Sequence, residues 1–163
     1  MAEEHQPFLH TGELVPAFSL PGADGMPHSP WDYKQREHLI IILLSSARTG
    51  EARGVLRAFK RQYSTLREEN CSLLVVTADT VLDHLQVQEE LQLPFALLAD
   101  PQGSVLARYT YWDAQQHTAR PSLVLANRYG AIYAQWITEN EAELPAIEVL
   151  LEDLQYLNNL CTG

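Results

Sequence analysis

The chain has 163 residues, 46% of them hydrophobic, which fits one compact domain able to bury roughly 70% of its unfolded surface. Eleven Lys and Arg against 21 Asp and Glu give a net charge of −10, so nucleic acid and anionic membranes meet net repulsion and neither is an expected partner. Two widely separated cysteines, Cys71 and Cys161, form neither a disulfide framework nor a zinc spacing.

The acidic start, Met1 to Pro7, carries no apolar leader, and the longest apolar run, Leu39 to Leu44, is far below the roughly 20 residues that span a bilayer. A cytoplasmic protein is expected, with a tail over residues 1–10 and a single domain over 11–163. Pro16 to Leu20 reads as a short strand, and the Gly and Asp residues of Pro21 to Gly25 favour a turn, so a β-hairpin opens the domain. His38 to Ser45 is a continuous β-branched apolar run, expected in the middle of a sheet covered on both faces.

From Glu51, the residues Ala52, Val55, Leu56, Phe59, Tyr63 and Leu66 recur at intervals of three and four, predicting one helix to about Glu69. Leu73 to Thr77 is the next buried strand. Asp79 and Thr80 offer N-cap chemistry for a helix whose apolar residues are Leu82, Leu85 and Leu91. Pro94 to Ala99 is a third strand, stopped by the turn Asp100-Pro101-Gln102-Gly103, and a brief helix follows over Ser104 to Tyr109. Ser122 to Ala126 and Ala131 to Ile137 flank the loop Asn127-Arg128-Tyr129-Gly130, an antiparallel hairpin. The last helix is expected from Glu141 to Leu160, with Leu144, Ile147, Leu150, Leu151, Leu154 and Leu157 inward. This alternation predicts an α/β layer fold.

Candidate chemistry is sparse. None of the six histidines, His5, His10, His28, His38, His84 and His117, makes the i, i+4 pair that puts two imidazoles on one helix face, so no metal is expected. No phosphate loop or serine elbow appears, no cofactor is expected, and Ser45 and Ser46 lack an identifiable base. Cys71 reads as a small core residue; Cys161, near the end, has no neighbouring cation to lower its pKa. Tyr109 to His117 is either a binding surface or a segment in which Tyr109 and Trp112 pack under the last helix. Trp31 and Tyr33 read as core cover.

The order of elements and three strings, Gly12 to Leu20, Leu93 to Gly103 and Asn127 to Gly130, resemble the peroxiredoxin-like branch of the thioredoxin superfamily, the alkyl hydroperoxide reductase and thiol-specific antioxidant family. The resemblance covers roughly Thr11 to Leu157. It implies a thioredoxin-like fold, a mixed central sheet with helices on both faces, and a thiol active site where the first long helix begins. Its active loop, Pro-x-x-x-Thr-x-x-Cys, falls on Ser45 for the proline, Thr49 for the threonine and Ala52 for the peroxidatic cysteine. The thioredoxin register, Cys-x-x-Cys-Arg, places Thr49 and Ala52 at the cysteines and keeps Arg53. In both registers the nucleophile is absent.

Arg120 resembles the arginine that approaches the thiolate in peroxiredoxins, and Pro121 the proline found in cis beside the thioredoxin loop. Together with Thr49, Gly50, Glu51 and Arg53 they would line a pocket suited to a small anion at a helix N-terminus. The plainer readings are that Thr49 is only an N-cap and that Arg120 is a solvated charge or a partner of Glu51. The expected function is a non-catalytic binding or regulatory protein with a protein partner or small anion; the alternative is a thiol peroxidase using Cys71 or Cys161. The resemblance also implies a homodimer.

Overall fold

The computed structural model describes residues 9–160. Five strands, β3 (His38–Leu44), β4 (Cys71–Thr77), β5 (Ala96–Ala99), β8 (Ser122–Ala126) and β9 (Ile132–Ile137), form a mixed sheet in the order β5-β4-β3-β8-β9. β3 pairs in parallel with β4, and β4 with β5, whereas β8 is antiparallel to β3 and β9. Every residue of β3 and β4 is buried, because both strands have neighbours on both edges and cover on both faces. The expected central strand is therefore in place.

Ile40, Ile42, Leu44, Leu73, Val75, Leu97 and Leu123 face one layer, where α1 (Gly50–Arg61), α2 (Tyr63–Glu68), α3 (Val81–Leu91) and α5 (Ile147–Leu160) insert Leu56, Leu66, Val87 and Leu154. Fully burying each such Leu, Ile or Val stabilises the fold by about 1.5–3 kcal/mol before chain entropy is charged against it. The alternate residues Leu39, Ile41, Leu43, Leu74, Val76 and Val124 face the second layer, made by α4 (Ser104–Tyr109) and the N-terminal Val15 and Phe18. Helices thus lie on both faces.

Several expectations need correction. The N-terminal hairpin is present, but its strands are only β1 (Leu20–Pro21) and β2 (Pro27–His28). Pro16 has no N–H to donate, and the carbonyls of Pro16 and Ala17 are taken by the Tyr109 hydroxyl and, at 2.9 Å, the Arg108 guanidinium, so no ladder forms there. The helix expected to about Glu69 breaks at Gln62, whose dihedrals of −106° and 9° separate α1 from α2 while Phe59 and Leu66 both stay in the core.

Helix α3 buries His84, Val87 and Leu91 and leaves Leu82 and Leu85 exposed. A stripe containing histidine can face inward because Thr77 Oγ1 meets His84 Nε2 at 2.7 Å. The last helix begins at Ile147, not Glu141. Leu144 is extended, as a residue before proline must be, and Pro145 cannot continue a helix from the short 3-10 turn Glu141–Glu143.

Tyr109 and Trp112 do not lie under α5 but on the opposite face of the sheet. Tyr109 packs edge-on against Phe18 at 5.7 Å, and Trp112, in the ribbon of β6 (Trp112–Asp113) and β7 (Thr118–Ala119), covers Gly103. Trp31 is an exposed ring beneath the Lys34 ammonium rather than core cover, while Tyr33 is half-buried. Among the described residues no helix is long and apolar enough to cross a membrane, and no group of three or more His, Cys, Asp or Glu is placed to hold a metal ion.

Candidate functional site

Parallel strands β3, β4 and β5 end together, and the loop from Ser45 to Thr49 leaves this edge to start α1. Several polar groups of the loop are fixed by partners from other elements. Ser45 Oγ donates to the Ala119 carbonyl at 2.8 Å and accepts the Ala119 N–H at 2.7 Å, which ties the loop to β7. The Ser45 carbonyl accepts the Ala78 N–H at 3.1 Å.

The carboxylate of Asp79, 4% exposed, occupies the centre of the next turn. Its Oδ2 accepts the Ala47 N–H at 2.8 Å and the Ser46 hydroxyl at 3.1 Å, and Arg48 Nε lies 3.4 Å from Oδ1. Arg48 also reaches Asp83 at 3.7 Å. The Asp79 N–H in turn donates to Thr77 Oγ1 at 2.9 Å, the oxygen that meets His84. Burial holds the His84 imidazole below its usual pKa despite the nearby Asp79 and Asp83, so the ring is neutral near pH 7. Reading Asp79 and Thr80 only as cap chemistry misses this clamp; a carboxylate directly after a buried strand is the signal that points to it.

Thr49 is extended, with φ −71° and ψ 159°, and its Oγ1 accepts the Ala52 N–H at 3.1 Å, an N-cap of the first long helix. Gly50 and Glu51 are exposed in the first turn, and Ala52 is fully buried beneath it. Arg53 donates to the Arg48 carbonyl at 3.1 Å and pairs with Glu90 at 2.8 Å.

The Ser45 to Ala119 bonds bring the backbone before Arg120 beside the loop. The Arg120 guanidinium itself pairs with Glu139 at 3.7 Å, not with Glu51, and lies 4.6 Å over the Tyr111 ring. A cavity beside it is lined by Tyr111, Trp112, Asp113, Thr118, Arg120 and Glu139, and by none of Thr49 to Arg53. Pro121 is buried, and the peptide bond before it is trans; no described peptide bond is cis.

Cys71 opens β4 at the opposite end of the strand from the loop, about 20 Å away at the usual rise of a strand. It is fully buried, and burial pushes its thiol well above the ordinary cysteine range, the reverse of what a nucleophile requires. Cys161 lies outside the described residues. Along the exposed side of α1 runs a groove of about 450 Å³ whose lining includes Glu51, Gly54, Val55, Ala58, Leu144 and Ile147.

The fold carrying this loop is widespread among solved structures. The peroxidoxin BcpB of Mycobacterium tuberculosis superposes with a TM-score of 0.80 at 17% identity, over 90% of this chain and 96% of that one. The AhpC of Enterococcus faecalis gives 0.82 at 16% identity, over 94% and 95%, and a thiol peroxidase from Chromobacterium violaceum 0.78 at 19%, over 91% and 88%. At such identities the likeness establishes the thioredoxin-like fold alone. No curated protein sequence matches the chain. The model of the AhpC/TSA family matches residues 11–135, from ahead of the N-terminal hairpin into β9, and spans the loop from Ser45 to Arg53. The chain therefore belongs to the AhpC/TSA family.

Proposed function

We propose that this peroxiredoxin-like protein has lost the active-site cysteine and acts as a non-catalytic binding protein. The observation that carries the reading is Ala52, a fully buried methyl group in the first turn of α1 where the family register places the sulfur, with its N–H spent on Thr49. The loop offers no other nucleophile in its place. Ser45 spends its hydroxyl proton on the Ala119 carbonyl; Ser46, expected to lack a base, does donate to the Asp79 carboxylate, but that carboxylate also accepts the Ala47 N–H and lies beside Arg48, which makes it a weak base for activating a hydroxyl.

A small anion is the less favoured occupant of this loop. Arg48, Arg53 and Arg120 are each paired with a carboxylate, so an anion would have to displace Asp79 or Asp83, Glu90 or Glu139. The groove along α1 favours a polypeptide instead. Val55, Ala58, Leu144 and Ile147 supply an apolar floor, and Glu51, Glu141 and Glu148 outnumber Arg61 around it, which suits a segment combining apolar anchors with Lys or Arg.

The test is hydrogen peroxide consumption by the purified protein with a dithiol reductant. The expected rate equals that of the double variant Cys71→Ser, Cys161→Ser. Rapid turnover that Cys161→Ser abolishes would overturn the proposal and establish the thiol peroxidase alternative.

A further inference from the structure

Gly54 lies in the middle of α1, where glycine is the poorest helix former after proline, and its backbone is ordinary helix that any other residue could adopt. Among the described residues nothing requires it: a Cβ built there would meet no neighbouring group within 4 Å. The added methyl would instead stand in the groove of about 450 Å³ that runs along the exposed side of α1. Ala58, one turn further on, and Ala142 and Ala146 on the other wall are also small, so the groove is open because the residues that could fill it have short side chains or none.

The floor is continuous with the core. Val55, Ala58 and Leu144 are half-buried and pack against the cluster that holds Phe59 and Ile147. The walls, however, offer little to a partner's backbone. Beyond its first turn α1 spends its N–H groups within the helix, Glu143 and Leu144 donate to the carbonyls of Asn140 and Glu141, and Pro145 has no N–H. An extended segment laid on this apolar floor would lose water from its amides and find no replacement. A helix satisfies its own backbone and can bury an apolar stripe there without that cost.

The rim selects for charge. Glu51, Glu141 and Glu148 outnumber Arg61 around the groove, and among the described residues none of the three carboxylates is in an ion pair. They repel an acidic segment and suit Lys or Arg. The length is also set, because the groove follows α1 from Glu51 to Gln62, which at the rise of an α-helix is about 17 Å, or about three turns.

Resting on the reading of this groove as a polypeptide site, we propose that its occupant is an amphipathic α-helix of a partner protein, about three turns long. Apolar anchors at i, i+4 and i+7 fill the space over Gly54 and Ala58, and flanking Lys or Arg side chains meet Glu51, Glu141 and Glu148.

The probe is a synthetic library of stapled helical peptides of about 12 residues, randomised over Leu, Ala, Lys and Glu and screened on the full chain, with the best binder titrated by calorimetry. The expected binder is one-to-one, carries Leu in the i, i+4, i+7 pattern and is flanked by Lys rather than Glu. Gly54→Leu, which fills the groove from an exposed helical position, should weaken it at least tenfold. Glu148→Lys, on the surface, should weaken it severalfold at low salt and keeps the test open if Gly54→Leu fails to fold. The same sequence unstapled and broken by a central proline should bind at least tenfold more weakly. No saturable binder, a Glu-rich binder, or unchanged affinity in either folded variant would overturn the proposal. Equal binding of the proline peptide would also overturn it, while leaving the groove a polypeptide site. None of these outcomes alters the peroxide assay, which reads the missing cysteine separately.

Discussion

Asp79 Oδ2 accepts the Ala47 N–H at 2.8 Å, so a carboxylate from the end of β4 holds the loop that leaves β3. Both residues are buried, and Ser46 and Arg48 on either side of Ala47 bind the same carboxylate. The loop's shape thus depends on a side chain from the neighbouring strand as much as on its own sequence. Asp79→Ala strands the Ala47 N–H and should cost about 2–3 kcal/mol in urea unfolding. Asp79→Asn keeps one acceptor oxygen and should cost less than half as much.

Thr49 contributes as a helix cap. Thr49→Ala removes the acceptor for the Ala52 N–H and should lower stability by about 1 kcal/mol, with Thr49→Ser restoring most of it. Equal urea stability of the native protein and the Thr49→Ala variant would show that water replaces the cap.

The buried imidazole of His84 sets a pH dependence. Burial, only partly offset by Asp79 and Asp83, lowers its folded pKa, while the unfolded chain titrates near about 6.5. Below about pH 6.5 the unfolded state binds more protons, so the stability due to neutral His84 is complete above that pH and is lost as pH falls through the folded pKa. Burial also lowers His38, in spite of its bond with Asn158, so the two histidines act in the same direction. His84→Gln should flatten, without abolishing, the fall in urea midpoint between about pH 7.5 and pH 5.5.

Gly103 turns the chain from β5 into α4 with φ +78°, and an added Cβ would lie 2.1 Å from Trp112 Cε2. Gly103→Ala combines left-handed strain with a clash against an indole ring, and should cost about 2 kcal/mol or more. Thermal unfolding reads the loss directly. Pairing it with Trp112→Leu, which shortens the opposing side chain, should recover part of it.

The sheet was readable in the chain because β3 and β4 are unbroken apolar runs, a pattern produced by strands buried on both faces. The short helix Ser104–Tyr109 followed equally from its Pro and Gly turn. The break at Gln62 left no trace in the pattern, since Phe59, Tyr63 and Leu66 keep helical spacing across it. The inward face of α3 was hidden for another reason: its stripe includes His84, whose burial depends on Thr77 in a different element. Pro145 did mark the start of α5, and a helix drawn through it ran against the physics of proline.

At the candidate site, Ser45, Thr49, Ala52 and Arg53 were visible as positions in one loop and helix start. Their engagements were not. Arg53 finds Glu90 and Arg120 finds Glu139 through contacts between elements distant in sequence, which periodicity cannot express.

The proposed loss of the peroxidatic cysteine requires that no thiol of this chain react rapidly with hydrogen peroxide. Intact-mass spectrometry of the reduced protein, mixed with equimolar hydrogen peroxide and quenched within seconds, tests it most directly. The expected mass is unchanged. A rapid gain of one oxygen, localised to a cysteine and followed by its return to the thiol with a dithiol reductant, would contradict it.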